Sequence, residues 1–132
     1  MSRISIIPRF GETDALGHVN NASYFSYLEE ARIRFFEEIG YNISSKEWNF
    51  ILASTKCDFV NQGYFNQQMT INTYVSRIGT KSFQLEHDII CSQTGEIIAK
   101  ANAIIVYFDF EKQKSAPIPG LLKEGLKSYL AH

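Results

Sequence analysis

Hydrophobic and polar residues alternate along several segments of the chain, and a period of two is typical of β-strands that bury one face. Short turn signals at Gly79 and at Thr94 and Gly95 separate the later segments, so these strands are expected to run antiparallel. The predicted strands cover residues 3–10, 50–60, 69–75, 83–91 and 97–110.

One long segment has the helical period instead. Between residues 21 and 39, apolar side chains recur every three or four positions, which predicts an α-helix. Asn20 or Asn21 can cap its start, and Gly40 can end it. The apolar residues extend around much of the circumference, which indicates a central helix packed on several sides. A short second helix is expected over residues 121–130.

The order of these elements predicts the fold class. One long helix followed by a series of long antiparallel strands is typical of an α+β domain, in which the helix covers one face of the sheet. The 132 residues match the size of one domain, and no repeat or Pro/Gly/Ser-rich linker divides them. Residues 1–132 are therefore expected to form a single domain.

Composition and charge exclude several classes of function. A formal net charge of -1 provides no overall basic field for nucleic acid or an anionic membrane. No segment approaches the roughly 18 apolar residues of a membrane helix, and the first residues show no export signal. Cys57 and Cys91 form no CxxC or His/Cys cluster, so we expect buried thiols, no metal, and a cytoplasmic protein with no nucleic-acid or membrane partner.

The segment between the first strand and the long helix carries the candidate chemistry. Residues 9–21 read RFGETDALGHVNN, with carboxylates at Glu12 and Asp14, an imidazole at His18, and the helix N-terminus directly after them. Acyl transfer needs a carboxylate that attacks the carbonyl or activates water, and amides that bind the oxyanion. The same residue types are common in turns and caps, so this pattern alone does not establish a site.

Residues 9–21, with the following YFSYLEEAR of residues 24–32, resemble the 4-hydroxybenzoyl-CoA thioesterase-like family of hotdog-fold proteins. Members of that family open with an arginine-aromatic stretch, TDxxGHVNNxxY and a helix reading EEAR. The resemblance implies a central helix wrapped by a five- or six-stranded antiparallel sheet. It also implies hydrolysis of acyl-CoA or a related acyl thioester, with coenzyme A present only as part of the substrate and no separate cofactor.

The resemblance also implies an assembly and a set of roles. The assembly is a homodimer, or a dimer of dimers, that joins two sheets edge to edge with active sites at the interface. We further expect the strand of residues 97–110 to be too apolar for an exposed edge. Asp14 is the catalytic carboxylate, as nucleophile or as general base, with His18 and an amide near Asn21 as the other catalytic candidates. The candidate substrate-binding residues are Gly17, Asn20, Tyr24, Arg77 and Lys81, of which the last two could contact the phosphates of coenzyme A.

Three alternative functions stay open. The motif is similar to the D-x-N-x-H stretch of acyl-ACP thioesterases, although Leu16 stands at its middle position. A hydratase or dehydratase of the same fold would use His18 with an acid, and a non-catalytic acyl-binding hotdog domain would not need Asp14. The remaining polar residues have structural interpretations: Glu12 as a surface charge, Glu29 and Glu30 as a solvated face or partners of Arg32 or Arg34, and His87 as a hydrogen-bonded strand histidine.

Overall fold

A six-stranded antiparallel sheet with a long helix across one face dominates the computed structural model, which describes residues 1–43 and 48–131. The α+β class is therefore confirmed, and every predicted helix and strand is present within a few residues of its expected bounds. The strand order is β1-β3-β4-β5-β2, with β6 paired to β5. The elements are β1 (Ser2–Ile6), α1 (Asn21–Glu38), β2 (Phe50–Phe59), β3 (Met69–Ile78), β4 (Ser82–Cys91), β5 (Ile97–Asp109), β6 (Lys114–Ser115) and α2 (Gly120–Lys127).

The first strand is shorter than predicted. It ends at Ile6, two positions before Pro8, whose nitrogen cannot donate to a strand ladder. Phe10 instead begins a 3-10 turn, Phe10–Glu12, and its side chain is 78% exposed. The alternation that suggested a strand up to Phe10 is therefore wrong in its second half.

The strand of residues 97–110, which was expected to be too apolar for an exposed edge, lies inside the sheet. β5 pairs with β4 along one side and with β2 along the other. Its apolar character agrees with this position, since a strand enclosed by two neighbours has little contact with water. The outer strands are β1 and β2, and β2 leaves Leu52 and Phe59 exposed.

Helix α1 packs on the inner face of the sheet over two hydrophobic clusters. Near its N-terminus, Tyr24 and Leu28 belong to a cluster with Met69 and Ile89; nearer its C-terminus, Phe35 and Phe36 belong to a second cluster. The strand side of the second cluster consists of Phe50, Val75, Phe83, Leu85, Ala103 and Ile105. Both clusters are buried between helix and sheet, which agrees with the central helix that the sequence predicted.

Buried polar residues lie between the two clusters. Thr73 and His87 face each other on β3 and β4, and Oγ1 of Thr73 is 2.7 Å from Nδ1 of His87. Nε2 of His87 has no hydrogen-bond partner among the described residues. Burial, and then the charge of Arg32, lowers the pKa of His87 to about 3, so its ring is neutral. The predicted hydrogen-bonded strand histidine is therefore satisfied on one nitrogen only.

Glu29 and Glu30 on α1 are exposed, in agreement with their interpretation as a solvated face. Arg32 is nearly buried, and in the described part of the chain it makes no ion pair within 4.0 Å. Arg34 pairs with Glu37 at 3.1 Å rather than with Glu30.

At the end of the helix, Glu38 accepts hydrogen bonds from Ser2 and from the hydroxyl of Tyr129, each at 3.0 Å. The C-terminal end of α1 is thereby tied to the first strand and to the chain after α2.

The two thiols are buried to different degrees. Cys91 is 5% exposed and belongs to the first hydrophobic cluster, as predicted. Cys57 lies on the outer strand β2 and is only partly buried. Burial still raises the pKa of the Cys57 thiol to about 11, so this cysteine is a packing residue rather than a reactive thiolate. Hydrogen bonds, chiefly with the side chain of Thr94, lower the pKa of the Cys91 thiol to about 7.

Candidate active site

The loop between β1 and α1 closes on itself as a tight turn. Thr13 pairs with Val19, and the amide of Asp14 donates to the carbonyl of His18 at 2.8 Å. The amide of Gly17 donates to the carbonyl of Asp14 at 3.0 Å. Gly17 has a φ of 77°, a left-handed conformation that side chains disfavour, which explains the glycine at this position.

One oxygen of the Asp14 carboxylate holds this turn together. Oδ1 accepts the amide of Leu16 at 2.8 Å and the amide of His18 at 3.1 Å, which is the turn-forming role common to loop aspartates. Within the described residues, Oδ2 has no hydrogen-bond partner, and the side chain is exposed. The fixed oxygen orients the group, and the second oxygen is available for chemistry.

The N-terminus of α1 begins next to this loop. The side chain of Asn20 caps the helix by accepting the amide of Ala22 at 3.0 Å. The amide of Asn21, the first residue of the helix, has no acceptor within the part of the chain that the structure describes. A free amide at the positive end of the helix dipole is a suitable donor to a developing oxyanion.

Loop and helix together line an elongated cleft. A cavity of about 320 Å³ is lined by Asp14, His18, Val19, Asn20, Asn21 and Gln62. An adjoining cavity of about 240 Å³ shares Asn21 and Gln62 and continues to Tyr24, Phe59, Val60 and Asn61. The cleft therefore runs from the carboxylate of Asp14, past the helix N-terminus, to the outer strand β2.

Tyr24 forms part of the cleft wall, although it is a core residue. Its side chain is 2% exposed, and its ring lies 5.3 Å from that of Phe59. A Cβ on Gly63 would clash with the hydroxyl of Tyr24, so a glycine is needed where the two meet. Burial raises the pKa of Tyr24, so it offers a neutral aromatic wall rather than a proton.

His18 lines the cavity without an acidic partner. Its ring packs edge-on against Tyr64, with 5.2 Å between the centroids. Among the described residues, its side chain makes no hydrogen bond to a carboxylate. His18 and Asp14 are thus brought together in one cavity, but they do not form a hydrogen-bonded acid-histidine pair.

The two basic residues predicted to meet coenzyme A lie elsewhere. Met69 begins β3 near the cleft, where it packs in one cluster with Val19 and Tyr24. Arg77 is close to the other end of this strand, roughly 26 Å away at about 3.3 Å per residue, and Lys81 follows in the β3–β4 turn. Both are exposed. They do not line the cleft of their own chain, so their contact with the phosphates of coenzyme A stays a prediction.

Glu12 has a role that the sequence interpretation missed. It was expected to be a surface charge, but Oε1 accepts the hydroxyl of Tyr27 at 2.8 Å and the amide of Arg9 at 2.8 Å. The bond from the Arg9 amide is the main cause of the lowered pKa of Glu12. Tyr27 stands far along the chain in a different element, so no local pattern could have signalled this contact.

A larger cavity, of about 540 Å³, lies away from these groups. It is bounded by Met1, Tyr74, Asp88 and residues 128–131. Asp88 lies within 3.9 Å of the Lys100 amine, and the cavity is remote from the helix N-terminus. The smaller cleft is the better candidate, because it brings a free carboxylate oxygen and a free helix amide into one cavity. In the described chain, no three His, Cys, Asp or Glu side chains are grouped to hold a metal ion, and no helix is long and apolar enough to cross a membrane.

Comparison with known sequences finds a family match over most of the chain. The sequence model of the Thioesterase-like superfamily matches residues 8–126, a range that contains the whole cleft. The uncharacterized protein YsmA of Bacillus subtilis is 34% identical over 79 residues, which are 60% of this chain and 54% of YsmA. The chain thus aligns with about half the length of that relative.

Two further matches extend along nearly the whole chain. The long-chain acyl-CoA thioesterase FadM of Escherichia coli is 28% identical over 120 residues, covering 86% of this chain and 88% of FadM. A thioesterase from Thermus thermophilus, solved in complex with coenzyme A and Zn, superposes with a TM-score of 0.83 and 29% identity. That superposition covers 96% of this chain and 92% of the other.

Proposed function

The chain belongs to the Thioesterase-like superfamily and has the hotdog fold, and from this premise we propose that it hydrolyses acyl-CoA thioesters to a free acid and coenzyme A. The relatives named above support the reaction class, since one is an acyl-CoA thioesterase and another was solved with coenzyme A. The observation that carries the proposal is the meeting of Asp14 and the free amide of Asn21 in one cleft.

In the proposed reaction, the thioester carbonyl oxygen lies against the amide of Asn21 and its carbon faces Oδ2 of Asp14. The amide and the helix dipole stabilise the negative charge that develops on the oxygen. Asp14 either attacks the carbon to give an acyl-enzyme anhydride, which water then cleaves, or removes a proton from the attacking water. In both routes water adds across the thioester bond, and the products are an acid and a thiol.

The cleft suggests where the two halves of the substrate bind. The acyl group enters the part of the cleft beside Tyr24 and Phe59, whose aromatic rings provide an apolar wall. Asn20 lies at the opposite end of the cleft, whereas Gly17 does not line it and instead shapes the turn that holds Asp14. Among the residues that the structure describes, His18 has no acidic partner, so we assign it a supporting role in holding the substrate rather than the base of a hydratase.

We also propose that two copies assemble through β2. This strand is an outer strand with exposed apolar side chains, and unpaired strand edges favour pairing with another chain. An antiparallel, two-fold pairing would set the Phe50 end of one β2 beside the Phe59 end of the other. Phe50 pairs with Tyr107, whose amide donates to the carbonyl of Lys81 at 2.9 Å. Arg77 and Lys81 of the second copy would then lie on the side of the cleft, where they could meet the phosphates.

The test is release of free thiol from a series of acyl-CoA substrates that differ in chain length and aromaticity. Wild-type protein should release coenzyme A from at least one of them, and Asp14→Asn should not. A protein that binds acyl-CoA in equilibrium dialysis but releases no thiol would be the non-catalytic alternative. Faster hydration of an enoyl-CoA than hydrolysis would identify a hydratase instead.

A further inference from the structure

We infer that Glu12 and Tyr27 form a positioning pair, which fixes the loop of Asp14 against the N-terminus of α1 and so sets the distance between the carboxylate and the oxyanion-binding amide. This inference rests on the proposed thioesterase function. Asp14 and the amide of Asn21 belong to different elements, so their separation depends on whatever joins the loop to the helix.

Glu12 joins the two elements through both its side chain and its backbone. The hydroxyl of Tyr27, on α1, donates to Oε1 at 2.8 Å. The carbonyl of Glu12 accepts the amide of Asn20 at 2.9 Å and the hydroxyl of Ser23 at 3.3 Å. The amide of Arg9 completes the set at 2.8 Å. Four hydrogen bonds thus converge on a residue that stands just before Asp14 in the chain.

Tyr27 is a rigid partner for this contact. Its side chain is 5% exposed and lies in the first hydrophobic cluster, and its ring packs edge-on against Tyr24 at 6.0 Å. Its partner is a carboxylate, and hydrogen bonds to charged acceptors are stronger than those between neutral groups. The pair therefore connects the start of the catalytic loop to a side chain that the core holds in place.

The pair acts through Asp14 rather than on the substrate. Neither Glu12 nor Tyr27 lines the two cavities of the cleft, and Oε1 of Glu12 is engaged by its two donors. The other attachments of the loop hold its later part, since Val19 donates to Gly63 at 2.8 Å and Phe65 donates to Gly17 at 2.9 Å. Without the pair, the Asp14 side of the loop keeps its backbone bonds from Asn20 and Ser23 but loses its side-chain attachment to the core. A displacement of about 1 Å can cost up to a hundredfold in rate.

A matched pair of tyrosine variants tests this role. Tyr27→Phe removes the hydroxyl beside the catalytic loop, whereas Tyr129→Phe removes a similar hydroxyl that donates to Glu38 at the other end of α1. We expect Tyr27→Phe to lower kcat for thiol release roughly tenfold or more, with KM within about twofold of wild type. Tyr129→Phe should leave kcat within about twofold of wild type. It should lower the melting temperature by about as much as Tyr27→Phe does, because each variant removes one hydrogen bond to a carboxylate.

Substitutions at Glu12 separate its shape from its charge. Glu12→Gln retains an acceptor oxygen for Tyr27 and should keep most of kcat. Glu12→Ala should lower kcat as much as Tyr27→Phe does. The double variant that combines Glu12→Ala with Tyr27→Phe should be no slower than either single variant, because both remove the same contact. Wild-type kcat in Tyr27→Phe, equal losses in both tyrosine variants, or an equal loss in Glu12→Gln and Glu12→Ala would each overturn the inference. Wild-type protein that releases no thiol from any acyl-CoA would defeat the proposed function itself.

Discussion

The buried His87 should make the stability of the protein sensitive to mild acid. Its pKa is lowered to about 3 in the folded chain, from an ordinary value of 6.5. The unfolded chain therefore takes up a proton at this site as the pH falls below about 6.5, while the folded chain does not until about pH 3. The free energy of unfolding must therefore decrease as the pH falls from about 6.5 to about 3. Above about pH 6.5, the protonation of His87 should have no effect on it.

The size of the effect follows from the two pKa values. Between pH 7 and pH 5, linkage gives a loss of about 2 kcal/mol in the free energy of unfolding from this one group. Asn at position 87 can keep a hydrogen bond to Thr73 in place of Nδ1, and it removes both the titration and the unpaired Nε2. The His87→Asn variant should therefore lose about 2 kcal/mol less than wild type over the same interval.

Urea unfolding of both proteins at pH 8, 7, 6 and 5, at one fixed protein concentration, measures this difference. The fixed concentration matters because assembly stabilises the folded state by mass action. Between pH 8 and pH 7 the two curves should run parallel, which controls for effects of the substitution other than titration. If wild type and His87→Asn lost the same free energy of unfolding between pH 7 and pH 5, the His87 ring would take up its proton in the folded chain as readily as in the unfolded chain. The conclusion that the ring stays neutral with Nε2 unpaired would then be refuted.

Other expectations concern the cleft and the assembly. Asp14→Asn should reduce thiol release about a hundredfold or more, yet keep its melting temperature, because the amide oxygen still accepts the amides of Leu16 and His18; near-wild-type turnover would disprove the assignment. His18→Ala should reduce turnover less than Asp14→Asn on both saturated and unsaturated acyl-CoA, and the reverse order would favour a hydratase. Phe59→Ala should shift kcat/KM toward longer acyl chains by roughly tenfold, and an unchanged chain-length profile would place the acyl group elsewhere. Sedimentation at micromolar concentration should show a dimer or tetramer, and a monomer would exclude assembly through β2.

Much of the fold was predictable because it is encoded locally. The periods of two and of about 3.6 identified β2 to β5 and α1, with β3 extending to Ile78 beyond its predicted end at residue 75. Burial of one face imposes these periods on any strand or helix. Asn20 was expected as a cap, and its side chain does accept the amide of Ala22. The β1–α1 loop could likewise be chosen as the candidate site, because the order of its residues puts a carboxylate shortly before a helix N-terminus.

What the sequence could not predict has one physical origin, which is contact between distant parts of the chain. Nothing in residues 97–110 could reveal which strands pair with β5, because sheet order is set by long-range pairing. The position of Arg77 and Lys81, at the far end of β3 from the cleft, likewise depends on the direction of that strand in the fold. Glu12 looked like a surface charge until the fold brought Tyr27 within 2.8 Å of it.

The sequence by itself thus determined the elements, the class of fold and the position of Asp14 beside the helix. Only the tertiary structure decided that Oδ1 of Asp14 accepts two amides. Only there is it visible that, within the described part of the chain, Oδ2 of Asp14 and the buried Nε2 of His87 have no hydrogen-bond partner. The reason is that periodicity and capping depend on neighbours a few residues apart. The partners of an individual buried atom, by contrast, depend on which segments the whole chain brings together.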